Sequence, residues 1–400
     1  MKNLTIEDAR GRMLAHVRAL GSESVAIDQA HGRVLARPID AVRDQPPFDS
    51  SAMDGWAVRL ADAQAGPVAL AIAGESAAGR GFAGTLGPGQ AVRIFTGAAL
   101  PAGADTVVIQ EEAEKLGEAV RLGPVARIDN IRPRGGDFHA GDRLLDAGER
   151  LDPWRLSLAA AAGCGALDVA RRPRVAVLCT GEELVRPPQV PGPWQIYESG
   201  SLALCAMIES WGGVAQRLAP ARDEQAAVVE ALSGIDADLI VTVGGASVGD
   251  YDIVKPALGA MGLELVVQTI NIRPGKPTWF GRLGDGRPVL GLPGNPASAM
   301  VCAQLFLKPL IRALIGADPE PRFIVARLLK PLKANGGRTH LMRALLDQDP
   351  DGVITVDPLA DQDSSLVTVF ARADGLLRHP AGAPEAAAGA LVEVLRLDRL

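Results

Sequence analysis

The residues best equipped for chemistry sit in three glycine-rich loops between Leu239 and Ser298, each beside an apolar run. They are Thr242-Val-Gly-Gly-Ala-Ser-Val-Gly249, Ile272-Arg-Pro-Gly-Lys-Pro277 and Gly291-Leu-Pro-Gly-Asn-Pro296. Glycines at strand ends let backbone N–H groups come close to a phosphate or similar anion. Arg273 and Lys276 add cationic donors beside them. Asn295 is a natural N-cap with Pro296 at the first helical position, so a helix would direct its free N–H groups at whatever the Pro293-Gly294-Asn295-Pro296 loop holds. Any one such loop could be an ordinary tight turn. Three in succession suggest an enzyme that binds an oxyanion.

A second group of polar loops lies upstream. Pro46-Pro-Phe-Asp-Ser-Ser-Ala-Met-Asp-Gly-Trp-Ala-Val58 brings aspartates, serines and a glycine together before a strand, and Thr96-Gly-Ala, Arg132-Pro-Arg-Gly-Gly-Asp137 and Gly141-Asp142 repeat the theme. Taken alone, this is equally a set of polar connections.

These loops need elements to position them. From Val175 to about Gly316 the chain alternates strand and helix, which predicts a doubly wound α/β unit with its ligands beyond the carboxyl ends of the strands. Strands are expected at 175–179, 239–243, 263–267 and 289–290, and helices at 201–211, at 224–232 capped by Asp223, and from Asn295 to Ile315. A first helix is expected from Thr5 to about Leu20, ended by Gly21, and another at 154–162. Short alternating strands from 41 to 146 predict a β-rich module, and a second such module follows the linker Ala317-Asp-Pro-Glu-Pro321.

Length and composition bound the class. Four hundred residues imply two to four domains. A formal net charge of −6 and 4% aromatic residues disfavour a nucleic-acid binder, which needs a basic face or a stacking surface. The amino terminus lacks the apolar core of a signal peptide, and no segment reads as a membrane span, the nearest being Leu156–Ala170. Cys164, Cys179, Cys205 and Cys302 are widely spaced and fit buried thiols in a reducing cytoplasm. The five histidines include no ligand-spaced pair, so a histidine-based zinc site is disfavoured.

The order Ser51-Ala-Met-Asp-Gly, Phe95-Thr-Gly-Ala, Arg134-Gly-Gly-Asp, Thr180-Gly-Glu-Glu-Leu, Gly244-Gly-Ala-Ser-Val-Gly, Arg273-Pro-Gly-Lys-Pro and Leu292-Pro-Gly-Asn-Pro resembles the molybdopterin molybdenumtransferases. That family is called MoeA in bacteria and forms the E domain of gephyrin-type proteins. The resemblance covers essentially the whole chain. It implies a homodimer of elongated subunits with four domains: a linker and dimerisation domain (1–45 plus 146–172), a β-rich lid (46–145), a MogA/MoaB-like α/β molybdopterin-binding domain (173–316) and a C-terminal β-barrel-like domain (320–400). The lid of one subunit would close over its neighbour's cleft. The implied reaction inserts molybdate into adenylyl-molybdopterin and releases AMP with the help of magnesium. Possible transient partners are the molybdopterin adenylyltransferase and apo-molybdoenzymes.

Matched positions then carry roles. Asp252 aligns with the aspartate that would hold the metal, Glu183 and Asp223 with acidic positions of the cleft, and Asp54, Thr96 and Asp137 with lid positions needed for activity. Gly244, Gly245, Ser247, Gly249, Arg273, Lys276, Pro293, Gly294, Asn295, Pro296 and Ser298 would bind substrate, with Arg343, Ser364 and Ser365 from the C-terminal module. The chain departs from the pattern at Glu198-Ser199-Gly200, where Asp-Ser-Asn or Asp-Thr-Asn is usual, at Gly136, where Glu is common, and at Arg273, which replaces a Lys. The rival readings are an adenylyltransferase, a protein-binding scaffold, and a degenerate paralogue without turnover.

Overall fold

The computed structural model describes residues 1–245 and 253–397. At its centre a six-stranded sheet runs in the order Val214–Arg217, Arg174–Cys179, Leu239–Val243, Pro288–Leu292, Trp279–Arg282, Glu264–Val267. The first four strands are parallel, and Trp279–Arg282 is antiparallel to both of its neighbours. Leu239–Val243 is buried along its whole length because helices cover both faces of the sheet. That is why its sequence is continuously apolar rather than alternating.

Val175, Val177, Leu239, Val241 and Val243 point to one face, where they meet the helix Gly200–Ser210 and the long helix 296–314. Leu178, Ile240 and Val289 point to the other face, against the helices Gln225–Leu232 and Val254–Ala260. The expected strands are present, and two more enter the sheet, Val214–Arg217 beside Arg174–Cys179 and Trp279–Arg282 beside Pro288–Leu292. Each has four residues, too short a run for a periodicity to register.

Several boundaries differ from expectation. The first helix is Ile6–Leu14, capped by the Thr5 hydroxyl accepting the Asp8 N–H at 3.1 Å, and it ends well before Gly21. Its buried residues Ile6, Ala9 and Met13 join the core of the central sheet. The helix Gln225–Leu232 has Glu224 at its N-cap without a side-chain cap, so Asp223 lies one residue outside it and is not its cap. The helix 296–314 is long and apolar enough to cross a membrane by length and composition, although Lys308 and Arg312 interrupt its apolar run. Its apolar window is 83% buried inside the protein, so it is a core helix, apolar on most of its surface because core surrounds it.

Around this centre, Ser22–Ala26 pairs with Ala166–Ala170 and Ile39–Asp40 with Arg143–Leu145, both antiparallel, over a small core that includes Leu35, Leu151 and Val169. The lid sheet runs in the order Thr106–Ile109, Gly55–Val58, Gln90–Ile94, Val68–Ser76, Ala119–Leu122, Ala113–Leu116. The C-terminal strands Phe323–Leu328, Thr339–Gln348, Ile354–Pro358, Gly375–His379 and Leu391–Arg396 close into a five-stranded barrel. One pairing crosses from the centre to this barrel: Ile272–Arg273 adds in parallel to Thr339–His340.

Candidate active site

The three glycine loops converge as the sequence suggests. Gly244, at φ +93°, faces Thr180 so closely that a side-chain carbon there would lie 2.8 Å from the Thr180 carbonyl oxygen. Only glycine fits that position. A side-chain carbon on Gly294 would meet the Gly244 Cα at 3.5 Å, so the third loop stacks on the first. Gly275, at φ +110°, turns the second loop over the buried Cys302 sulfur, which would lie only 2.2 Å from an added carbon.

A cleft of about 360 Å³ opens between the second and third of these loops and the barrel. Its lining includes Arg273, Lys276, Pro293, Asn295, Ser298 and Ser364. Asn295 occupies the N-cap of its helix but leaves the cap unmade. Its Nδ2 instead donates to Ser364 Oγ at 2.8 Å, tying the helix start to the C-terminal module. Ser298 is buried in the first turn of the helix. Cations, hydroxyls and helix-end N–H groups are the donors a tetrahedral oxyanion requires.

Arg343 is fully buried behind this cleft rather than in its lining. Its backbone N–H donates to Gln362 Oε1 at 2.9 Å and its Nη2 to the Asp363 carbonyl at 2.9 Å, which positions the 361–365 loop. Its Nε and Nη1 are buried without a hydrogen-bond partner. Burial and the nearby Arg273 push its pKa below the usual arginine value, against the pull of Asp361 and Asp363. A buried cation with unmet donors beside a second cation fits a region completed by an anion.

Ser365 is placed differently from its neighbour Ser364. Its N–H and hydroxyl both go to Asp363 Oδ1, at 2.8 and 2.7 Å, so Ser364 presents the hydroxyl to the cleft and Ser365 supports the turn. Sequence reasoning missed Arg338, Gln362 and Asp363, which also line the cleft and sit one to three residues from elements it did consider.

Glu183 and Asp223 are exposed on adjoining loops, joined where the Gly181 N–H donates to the Ala221 carbonyl at 3.3 Å. Ser247, Gly249 and Asp252 lie outside the described residues, and so does the heart of the expected metal site. Among the described residues, no three His, Cys, Asp or Glu side chains come together as a metal-binding group.

In the lid, Asp54 Oδ1 accepts the Thr96 N–H at 2.7 Å and the Thr96 hydroxyl at 2.8 Å. The first of these bonds, then the second, holds the Asp54 carboxyl below its ordinary range. Gly97 and Asp137 line a separate surface cleft of about 650 Å³, with Gly136 beside them. The lid cleft and the glycine-loop cleft have no lining residue in common.

The departure at 198–200 has a clear structural outcome. Glu198 is buried, and its Oε2 accepts the Ser201 hydroxyl and Arg217 Nη2, each at 2.6 Å. Its Oε1 accepts the Ser201 N–H at 2.6 Å, capping the helix Gly200–Ser210 from two residues before Gly200. Arg186 approaches Oε2 at 3.4 Å. Burial alone would raise this carboxyl, but the bonds from Ser201 and Arg217 outweigh it and hold the pKa at about 2. Burial, reinforced by the Glu198 charge, pushes the neighbouring Cys179 up to about 12, so that thiol stays protonated.

The fold and this cleft define an α/β protein of modular build in which cationic and hydroxyl side chains gather where the loops of its sheet meet a C-terminal barrel. Comparison with known proteins agrees along the whole chain. Residues 4–163 match the MoeA N-terminal region (domain I and II), 176–313 the domain described as "Probable molybdopterin binding domain", and 325–397 the MoeA C-terminal region (domain IV). Molybdopterin molybdenumtransferase 2 of Mycobacterium tuberculosis (strain CDC 1551 / Oshkosh) is 38% identical over 393 residues, covering 94% of this chain and 96% of its own. The molybdopterin molybdenumtransferase of Bacillus subtilis (strain 168) is 32% identical over 97% of this chain and 93% of its own. The crystal structure of a molybdopterin biosynthesis MoeA protein from Pyrococcus horikosii superposes with a TM-score of 0.84, at 32% identity and covering 100% of both chains. The chain therefore belongs to the molybdopterin molybdenumtransferase (MoeA) family.

Proposed function

We propose that this protein inserts molybdate into adenylyl-molybdopterin and releases AMP. The observation that carries the reading is the cleft itself, where Arg273, Lys276, Ser298, Asn295 and Ser364 converge with Arg343 buried behind them. Arg273 and Lys276 would hold the oxyanion, while Ser298, Ser364 and the helix-start N–H groups fix its orientation. Magnesium would be held by Asp252, with a carboxylate of the kind a hard cation takes, and would offset charge developing on the leaving phosphate, while Glu183 and Asp223 would stand as acidic positions of the same cleft.

The working form would be a homodimer of four-domain subunits with the boundaries expected above. The separation of the lid cleft from the glycine-loop cleft within one chain supports a lid that serves the neighbouring subunit, so Asp54, Thr96 and Asp137 would act across the dimer. A pure scaffold has no use for this concentration of anion donors, and an adenylyltransferase needs neither lid nor barrel. The compartment proposed is the cytoplasm.

The test supplies purified protein with adenylyl-molybdopterin, molybdate and magnesium and follows AMP release, with Asp252→Ala as control. Molybdate-dependent release that the variant loses supports the reading. Tight binding of substrate without release assigns the chain to a non-catalytic paralogue instead.

A further inference from the structure

The barrel has a second cavity, of about 410 Å³, which meets the cleft above only at Arg273. It opens at the barrel mouth and is lined by Lys333, His340, Met342, Leu359 and His379 among others. Register explains how its basic groups come together. His340 pairs with Arg273 on one side and with His379 on the other, so three adjacent strands carry a basic residue at the same level. Directly paired residues point to the same face, with strands about 4.8 Å apart. Alternation then separates two kinds of site along one strand. His340, Met342 and Ala344 face the barrel interior, where Met342 and Ala344 join its core, while Arg343 faces outward to the 361–365 loop.

Both histidines are more than nine-tenths buried, with 8% and 7% exposure, and the Nε2 of each is buried without a hydrogen-bond partner. Two unmet ring nitrogens in one cavity call for an occupant. A metal cation is a poor candidate. Among the described residues no third ligand completes a set. The surroundings are also positive: burial and then Arg273, Arg343, His379 and Arg338 hold the His340 pKa down at about 4. Lys330 lies at the rim but is engaged with Asp357 at 2.6 Å, while Lys333 is exposed at the same rim. Asn335 Nδ2 donates to the His379 carbonyl at 2.9 Å and to the Pro380 carbonyl at 2.7 Å, which fastens the rim loop over His379.

We infer that the barrel mouth is a second oxyanion site, separate from the glycine-loop cleft, in which the imidazole N–H groups of His340 and His379 donate to an anion that Arg273 and Lys333 attract. The ligand is a tetrahedral oxyanion, either free in solution or carried as a phosphate ester.

Equilibrium dialysis against molybdate, with molybdenum counted per chain, separates the two sites. The wild-type chain is expected to bind two ions, with His379→Leu and Ser298→Ala each retaining one. Lys333→Ala, on the exposed rim where folding is not at stake, should weaken the barrel-mouth ion about tenfold. Imidazole ¹H–¹⁵N spectra of the wild-type protein identify the ligand's source. Shifts of the His340 and His379 signals with molybdate or sulfate show a free ion, and shifts only with AMP show a phosphate ester. Unshifted imidazoles with every probe overturn the inference, and so do unchanged stoichiometry in His379→Leu and unchanged affinity in Lys333→Ala for the probe that shifts them. Loss of binding in Ser298→Ala alone would leave the proposed reaction intact and remove only the second site.

Discussion

Two groups of charged residues in this molecule have opposite fates. Around Glu198 the carboxylate is surrounded by Ser201, Arg217 and Arg186, so the charge is answered from within. In the glycine-loop cleft, Arg273 and Lys276 are exposed and Arg343 keeps two unmet donors, so the charge there is left open. A charged residue that differs from its family's pattern is thus informative only once its partners are known. Glu198 looks like altered substrate recognition in sequence, and in the structure it caps a helix.

The comparison breaks most visibly if Glu198 is not structural. Glu198→Ala leaves Arg217 and Arg186 without their shared partner, and removing one member of a buried pair costs about 3–5 kcal/mol. Denaturant unfolding should show that loss, and a variant as stable as wild type would show that Glu198 is not structural. In the cleft the opposite split is expected. Lys276→Ala should lower molybdate-dependent AMP release by about 100-fold, in the range seen when a transition-state donor is removed, with an unfolding midpoint close to wild type.

Acid sharpens the contrast. Glu198 has a folded pKa of about 2 against an ordinary 4.5, so its contribution is present above pH 4.5 and is lost as pH falls from there towards 2. Stability measured across that window should fall less steeply in Glu198→Gln than in wild type. A smaller effect is expected in the lid, where Thr96→Val removes one of the two bonds to Asp54 and should lower turnover several-fold while substrate affinity is retained. The smallest is at the first helix: Thr5→Ala removes its cap and should cost about 1 kcal/mol, read as a shift in thermal midpoint without loss of activity.

Much of this was legible in the residues. The continuous apolar runs at 175–179 and 239–243 announce buried parallel strands, and Pro296 after Asn295 marks the helix start that borders the cleft. What escaped has identifiable physical causes. Trp279–Arg282 is short, and Gly375–His379 and Leu391–Arg396 owe their places to barrel closure between residues far apart in sequence. The roles of Ser364 and Ser365 are adjacent in sequence and divided only by which hydroxyl reaches Asp363. The histidines at 340 and 379 show no ligand spacing because strand register, not sequence separation, makes them neighbours.

The short strand Ile272–Arg273 has a consequence for local unfolding. Because it is stitched to Thr339–His340, with the Thr339 N–H donating to the Asn271 carbonyl at 3.2 Å, the start of the Arg273–Lys276 loop belongs to the barrel's cooperative unit as well as to the central sheet. Amide exchange in this segment should therefore follow the opening of the barrel, so a substitution deep in the C-terminal core should loosen the Arg273–Lys276 loop without touching the cleft.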